Sequence, residues 1–190
     1  MGKDTDTDVK RIAPDWMRRY GATELWSEIM PGLSQGGTRD EDVVGIMARV
    51  NRMQYGTRIN DVETPPYITE ETFDAVVTLY VCARPVGNGV EEYRWHIFDD
   101  PDVPFECETE SMQDVVRWAH RRWLGGKNVL IRCQAGLNRS GLVMALVLVR
   151  EGLEPQDAID KVRRMRSHRA LFNQEFVSYI LNTPVETWRD

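Results

Sequence analysis

Residues 129–149 constrain the fold of this chain more than any other stretch. Val129, Leu130 and Ile131 form a short β-prone run after the Gly125-Gly126 break, and residues 141–149 are apolar almost all round a helix. The first pattern fits a buried parallel strand and the second a central buried helix. Between them Cys133 stands six positions before Arg139, with Gly136 inside the loop. A glycine there lets the backbone close around an oxyanion. An anion held on such a loop meets backbone N–H groups and the positive end of the following helix. The same field favours the thiolate of Cys133, so one geometry would bind phosphate and activate a nucleophile.

The bare spacing carries little weight, because 20 arginines share the chain with three cysteines. The order strand, loop, helix carries more. In that context Cys133 is the candidate nucleophile, displacing an alcohol to form a thiophosphoryl intermediate that water then hydrolyses. Arg139 offers a planar, permanently charged fork for two phosphate oxygens. Because phosphoryl transfer rests on positioning and charge stabilisation, the amides of Gln134, Ala135, Gly136, Leu137, Asn138 and Arg139 form the candidate phosphate cradle. Ser140 either donates its hydroxyl to the sulfur or serves as a helix N-cap.

The loop resembles the Cys-x-x-Gly-x-x-Arg-Ser signature of the cysteine-dependent protein tyrosine phosphatases, especially their dual-specificity branch. Residues 28–33 are similar to that branch's entry segment, residues 73–82 to its following strand, and residues 166–176 to its closing Arg…Asn…Phe pattern. One departure stands beside the nucleophile: the family usually has histidine where this chain has Arg132, and an arginine there can act on the loop only through its charge. The resemblance implies a general acid on a loop near the site. Residues 98–104 supply it, with Asp100 where the family places its acid and Asp99 and Asp102 in reserve; a proline-rich acidic turn is the bland alternative. Asn173 matches an asparagine of the closing pattern and reads foremost as a helix cap. Cys82 resembles the cysteine that some relatives pair with the nucleophile in a reversible disulfide. A core cysteine at a strand end is the stronger reading of it.

Length and composition bound the rest. At 190 residues and 42% hydrophobic the chain fits one domain with a substantial core. We expect a loosely attached arm over residues 1–22, a catalytic domain over 23–190, and an insertion near 36–72, where the pattern is irregular. Strands at about 73–81 and 93–98 alternate with helices after Glu110, at about 156–166 and at about 173–181. This predicts an α/β fold with a mainly parallel sheet flanked by helices and the site at the carboxyl ends of the strands. Three widely spaced cysteines argue against a disulfide framework, and no Cys or His spacing suggests a metal site or cofactor. With no apolar run of membrane length and no targeting pattern, a cytoplasmic location is expected, without membrane insertion.

The formal net charge of −6 hides a division, −11 over residues 1–110 and +5 over residues 111–190. A basic surface around the loop would attract anionic substrates. Solvated helix faces are an equal reading of Arg117, Arg121 and Arg122 and of Arg163, Arg164 and Arg166. The function these features favour is a metal-independent phosphomonoester hydrolase acting on phosphotyrosine, and on phosphoserine or phosphothreonine, in proteins. The uncharged loop positions make a phosphoinositide head group less favoured, while the basic outer surface keeps a phosphoinositide phosphatase as an alternative. An RNA 5′-triphosphatase is the second enzymatic reading, because residues 136–141 are similar to the loop of capping-type enzymes; nucleic acid is otherwise not a favoured partner. A catalytically weak phosphate-binding module is the third.

Overall fold

In the computed structural model, residues 13–39, 42–43, 68, 71–99, 105 and 109–189 are described. Five strands make one sheet: β1 Trp26–Met30, β2 Leu33–Gly36, β3 Ala75–Thr78, β4 Glu91–Arg94 and β5 Val129–Arg132, in the order β1-β2-β5-β3-β4. All pairings are parallel except β1 with β2, a hairpin that the sequence pattern did not reveal. Its tight link is made at Gly32, whose φ of +75° suits a residue without Cβ, and whose N–H bonds Glu28 Oε1 at 2.9 Å. The predicted strands over 73–81 and 93–98 are shorter and, for the second, displaced toward the amino end.

Strand β5 is central and buried throughout, with Leu33 and Ala75 opposite Val129 on its two sides and Gly36 and Thr78 opposite Arg132 at its far end. Three parallel strands therefore finish together where Cys133 begins, which is where open parallel sheets carry their ligand sites.

The helices are α1 Asp15–Arg18, α2 Thr109–Leu124, α3 Arg139–Arg150, α4 Pro155–Met165, α5 Gln174–Asn182 and α6 Glu186–Arg189. Helix α3 lies between α2 and α4 and also touches α5 and α6, with residues 140–149 all buried, as its apolar circumference demands. The ends of α2 and α4 follow their local chemistry. At the end of α2 the Gly126 N–H bonds Trp123 O and the Lys127 N–H bonds Arg122 O, with Gly126 at φ +83°, a Schellman stop. Pro155 opens α4 at a position whose N–H has no helical partner to lose. None of the helices among the described residues is long and apolar enough to cross a membrane.

The expected arm is corrected over its second half. Ala13, Met17 and Ala22 are buried in the core, and Ala13 N bonds Thr23 O, so residues 13–22 pack as part of the domain. Met17 fills the space beside Gly37, where a Cβ would stand 2.4 Å from its terminal carbon. Residues 1–12 and most of the expected insertion, 44–67, lie outside the described residues.

Candidate active site

The loop after β5 is held from below by its neighbours' backbone. Cys133 N bonds Gly36 O at 3.2 Å, Thr38 N bonds Gln134 O at 2.9 Å, and the Thr38 hydroxyl donates to Cys133 O at 2.9 Å. Gly136 is the pivot. Its φ is +71°, and a Cβ would fall 2.4 to 2.6 Å from the backbone of Gly36 and Gly37, so both conformation and contact require glycine. The turn aims the Gly136 N–H at Cys133 Sγ, 3.2 Å away, and the Ser140 hydroxyl lies 3.4 Å from the same sulfur. Cys133 itself is only 2% exposed.

Ser140 is therefore placed on the sulfur, and the N-cap alternative is corrected, because Asn138 occupies that position. The side chain of Asn138 makes no capping bond. It reaches outward instead, its Nδ2 donating to Asp99 Oδ1 at 3.4 Å and its Oδ1 accepting from Asn173 N at 3.3 Å. The first amides of α3 are left without that side chain as an acceptor, a state that suits an anion at the helix N-terminus.

Arg139 is mostly buried, and among the described residues its Nε makes no hydrogen bond, lying 3.7 Å from Asp99 Oδ2. The guanidinium carbon stands 5.4 Å from the centre of the Tyr80 ring, within cation–π range. Burial, with Cys82 adding to it and Arg139 opposing it, pushes the Tyr80 hydroxyl up to about 12. Tyr80 thus presents a neutral aromatic face to the arginine at any ordinary pH. For His96, desolvation and secondly the positive charge of Arg139 hold the ring below the usual histidine range.

Of the acidic segment, Asp99 is brought to the site, while Asp100 and Asp102 lie outside the described residues. Asp99 is tied more firmly to the end of the chain than to the loop, since Asn173 Nδ2 donates to its Oδ1 at 2.9 Å. Asn173 also caps α5, its Oδ1 accepting from Glu175 N at 3.0 Å. One asparagine thus joins the acid segment to the last long helix. Exposed phenyl rings of Phe98 and Phe172 precede the two bonded residues.

Arg132, immediately before the nucleophile, is 1% exposed and turned toward the other side of the sheet. Its Nε donates to Thr78 Oγ1 at 2.9 Å, and its Nη2 donates to Arg84 O at 2.6 Å and faces Glu92 Oε1 at 3.4 Å. Glu92 Oε1 also accepts from Thr78 Oγ1 and from Arg94 Nη1, at 2.6 and 2.9 Å. The charge that replaces the usual histidine is balanced within the sheet and not directed at the sulfur.

Three arginines of the basic half are engaged within the fold. Arg166, 5% exposed, donates to Gly136 O, Glu24 O and Leu25 O, joining the loop to the segment before β1. Arg163 donates to Ala170 O and Leu171 O and so braces Leu171, a buried residue at φ +57° whose N–H bonds Leu137 O. Arg122 pairs with Glu91 and stacks on Trp118. The residues missed from sequence are Gln35, buried against the loop with its Nε2 3.1 Å from Gly136 O, and Tyr80. Neither lies in a motif, and a polar residue inside a buried strand was the one available signal for Gln35.

Cys82 and Cys133 are free thiols; Cys82 packs against the cluster of Val43, Tyr80 and Ala83. Among the described residues, His, Cys, Asp and Glu form no group of three suited to a metal ion.

A loop carrying Cys133 between a central parallel strand and a buried helix, with Arg139 at the helix start, is the arrangement that the phosphatase-like signature implies. The protein-tyrosine phosphatase family model matches residues 51–185, and the chain belongs to that family. Among curated proteins it is similar to dual specificity protein phosphatase 15 of Mus musculus, 24% identical over 107 residues, a match covering 56% of this chain and 44% of that protein. The chain thus spans less than half the length of this relative. Among solved structures, human DUSP28 superposes with a TM-score of 0.60 at 20% identity, covering 90% of this chain and 93% of the other. Tk-PTP in its active form gives 0.56 at 27% identity, covering 83% and 95%.

Proposed function

We propose that the protein is a metal-independent phosphomonoester hydrolase that dephosphorylates phosphotyrosine, and phosphoserine or phosphothreonine, in proteins through a cysteinyl-phosphate intermediate. The observation that carries this reading is the environment of Cys133 Sγ, with the Gly136 amide 3.2 Å away and the Ser140 hydroxyl 3.4 Å away, at the mouth of α3 beside Arg139.

In the first step the thiolate attacks phosphorus, an S–P bond forms, and the bond to the leaving oxygen breaks. Arg139 and the loop amides hold the non-bridging oxygens through the transition state. The leaving oxygen takes a proton from a carboxylic acid of the acidic segment, which the resemblance places at Asp100; its neighbour Asp99, 3.7 Å from Arg139, is the reserve for the same role. In the second step the same carboxylate accepts a proton from water as the water attacks phosphorus. The S–P bond breaks and its electron pair returns to sulfur, where the Ser140 hydroxyl can donate.

The test is a panel of phosphopeptides, phosphoinositide and 5′-triphosphate RNA, assayed with a chelator present. We expect phosphopeptide turnover that survives the chelator and disappears in Cys133→Ser. Asp100→Asn should lower turnover about 10²-fold on aryl phosphates whose leaving groups have high pKa, and much less where the leaving group is a good one. If Asp99→Asn shows that pattern while Asp100→Asn does not, the acid is reassigned. Preference for triphosphate RNA with indifference to both substitutions would sink the protein-phosphatase reading, as would inactivity on every substrate.

A further inference from the structure

Gln35 is fully buried on β2, beside Ile131 of β5, in a strand whose other residues are small or apolar. Its Nε2 lies 3.1 Å from Gly136 O, 3.5 Å from Leu137 O and 3.4 Å from Ser140 Oγ. Two of those three are carbonyl oxygens, which only accept, so the amide must present its NH2 group to the loop. The other end follows from this: among the described residues the buried Gln35 Oε1 has no hydrogen-bond partner. A buried orphan carbonyl costs stability, and a leucine of similar volume would remove that cost. The position therefore carries a residue that the core alone does not favour.

We infer that Gln35 is a positioning residue for the return of the electron pair to sulfur, acting through Ser140. A serine hydroxyl has one hydrogen and two lone pairs. The Gln35 N–H occupies a lone pair of Ser140 Oγ and cannot accept its hydrogen, so that hydrogen is left for Cys133 Sγ at 3.4 Å. The sulfur is a nucleophile in the first step and a leaving group in the second. A donor fixed on it stabilises the departing thiolate when water attacks phosphorus and the S–P bond breaks. The same amide, with Arg166, bonds the Gly136 carbonyl on the outside of the loop. Because Arg166 keeps that bond when Gln35 is replaced, the effect of substitution is carried chiefly by Ser140.

This inference rests on the proposed cysteinyl-phosphate mechanism, and the experiment separates the two. Rapid-quench kinetics with p-nitrophenyl phosphate are run on the wild type, Q35L, S140A and the double variant, with trapped phosphocysteine quantified and thermal midpoints measured. Q35L should release its first p-nitrophenol within about twofold of the wild-type rate, while its steady-state rate falls about five- to tenfold and phosphoenzyme accumulates. Its thermal midpoint should be unchanged or higher. On the S140A background Q35L should add less than about twofold, the non-additivity of residues acting in series. An equal loss on both backgrounds, an equal loss in both chemical steps, or no loss at all would overturn the role of Gln35. If phosphocysteine is absent even from wild type and S140A while p-nitrophenol is released, the mechanism itself fails, and the inference with it.

Discussion

Two arginines lie either side of Cys133, the buried Arg132 at the end of β5 and the mostly buried Arg139 at the start of α3, and the fold treats them oppositely. Arg132 is saturated, with Thr78, Glu92 and the carbonyl of Arg84 meeting its guanidinium. Arg139 has Asp99 at 3.7 Å, the face of Tyr80, and an Nε without a hydrogen bond among the described residues. The first is a charge satisfied by the fold, so it holds two strands together and has little left for a ligand. The second is held in place without being satisfied, which is the condition for binding a phosphoryl group and gripping it harder as charge shifts in the transition state. A buried charge is thus a structural or a chemical feature according to how completely its neighbours pair it.

The comparison breaks most readily at Arg139. Arg139→Lys should lower kcat/KM about 10²- to 10³-fold, because a point charge replaces a two-pronged donor. The thermal midpoint should move little, and calorimetry alongside steady-state kinetics checks both halves. Arg132→Met should give the reverse pattern. Loss of a partner from a buried cluster costs about 3 kcal/mol, partly relieved here because Arg94 still faces Glu92. Urea unfolding measures it, and the folded fraction should retain kcat within a few-fold; a large loss of kcat with stability intact would instead make Arg132 part of the chemistry.

Asn173 sharpens the contrast, since it belongs to both categories as a helix cap and as a donor to Asp99. Asn173→Ala should cost about 1 kcal/mol of stability for the cap. It should also lower turnover a further few-fold, selectively on substrates with poor leaving groups. Asn173→Asp would preserve the cap but set a carboxylate against Asp99, so its recovery in unfolding assays without recovery of turnover would separate the roles. The smallest effect belongs to His96. Because its folded-state value is held low, the unfolded chain takes up the proton first, and stability is lost as pH falls below about 6.5 through the lower folded value. Removing it in His96→Gln should flatten that acid limb slightly and leave the midpoint above pH 7 unchanged, as read from denaturant curves across pH.

The parts of the site that could be read from sequence are those made within one short segment. Cys133, Gly136, Arg139 and Ser140 follow one another along a strand, a loop and a helix, so their grouping needs only local conformation. The stop of α2 at Gly125-Gly126 was legible for the same reason, and the start of α4 was placed within a residue, at about 156. Features that the sequence left open or did not show depend on distant partners. Arg166 was open to reading as part of a basic surface, but its partners are a loop carbonyl 30 residues away and the Glu24 carbonyl 142 residues away. Gln35 meets Gly136 across 101 residues, and Asp99 meets Asn173 across 74.

By itself, then, the amino-acid order determined that a thiol and a guanidinium would share one turn ahead of an apolar helix, because backbone geometry over a few residues brings them together. The folded arrangement decided what surrounds that turn. It set which aspartate faces Arg139, which arginine is neutralised, and that a glutamine from a neighbouring strand reaches the serine beside the sulfur. Those choices belong to parallel strand register and side-chain packing, where residues far apart in the chain become neighbours and a buried polar group must find its partner or go without.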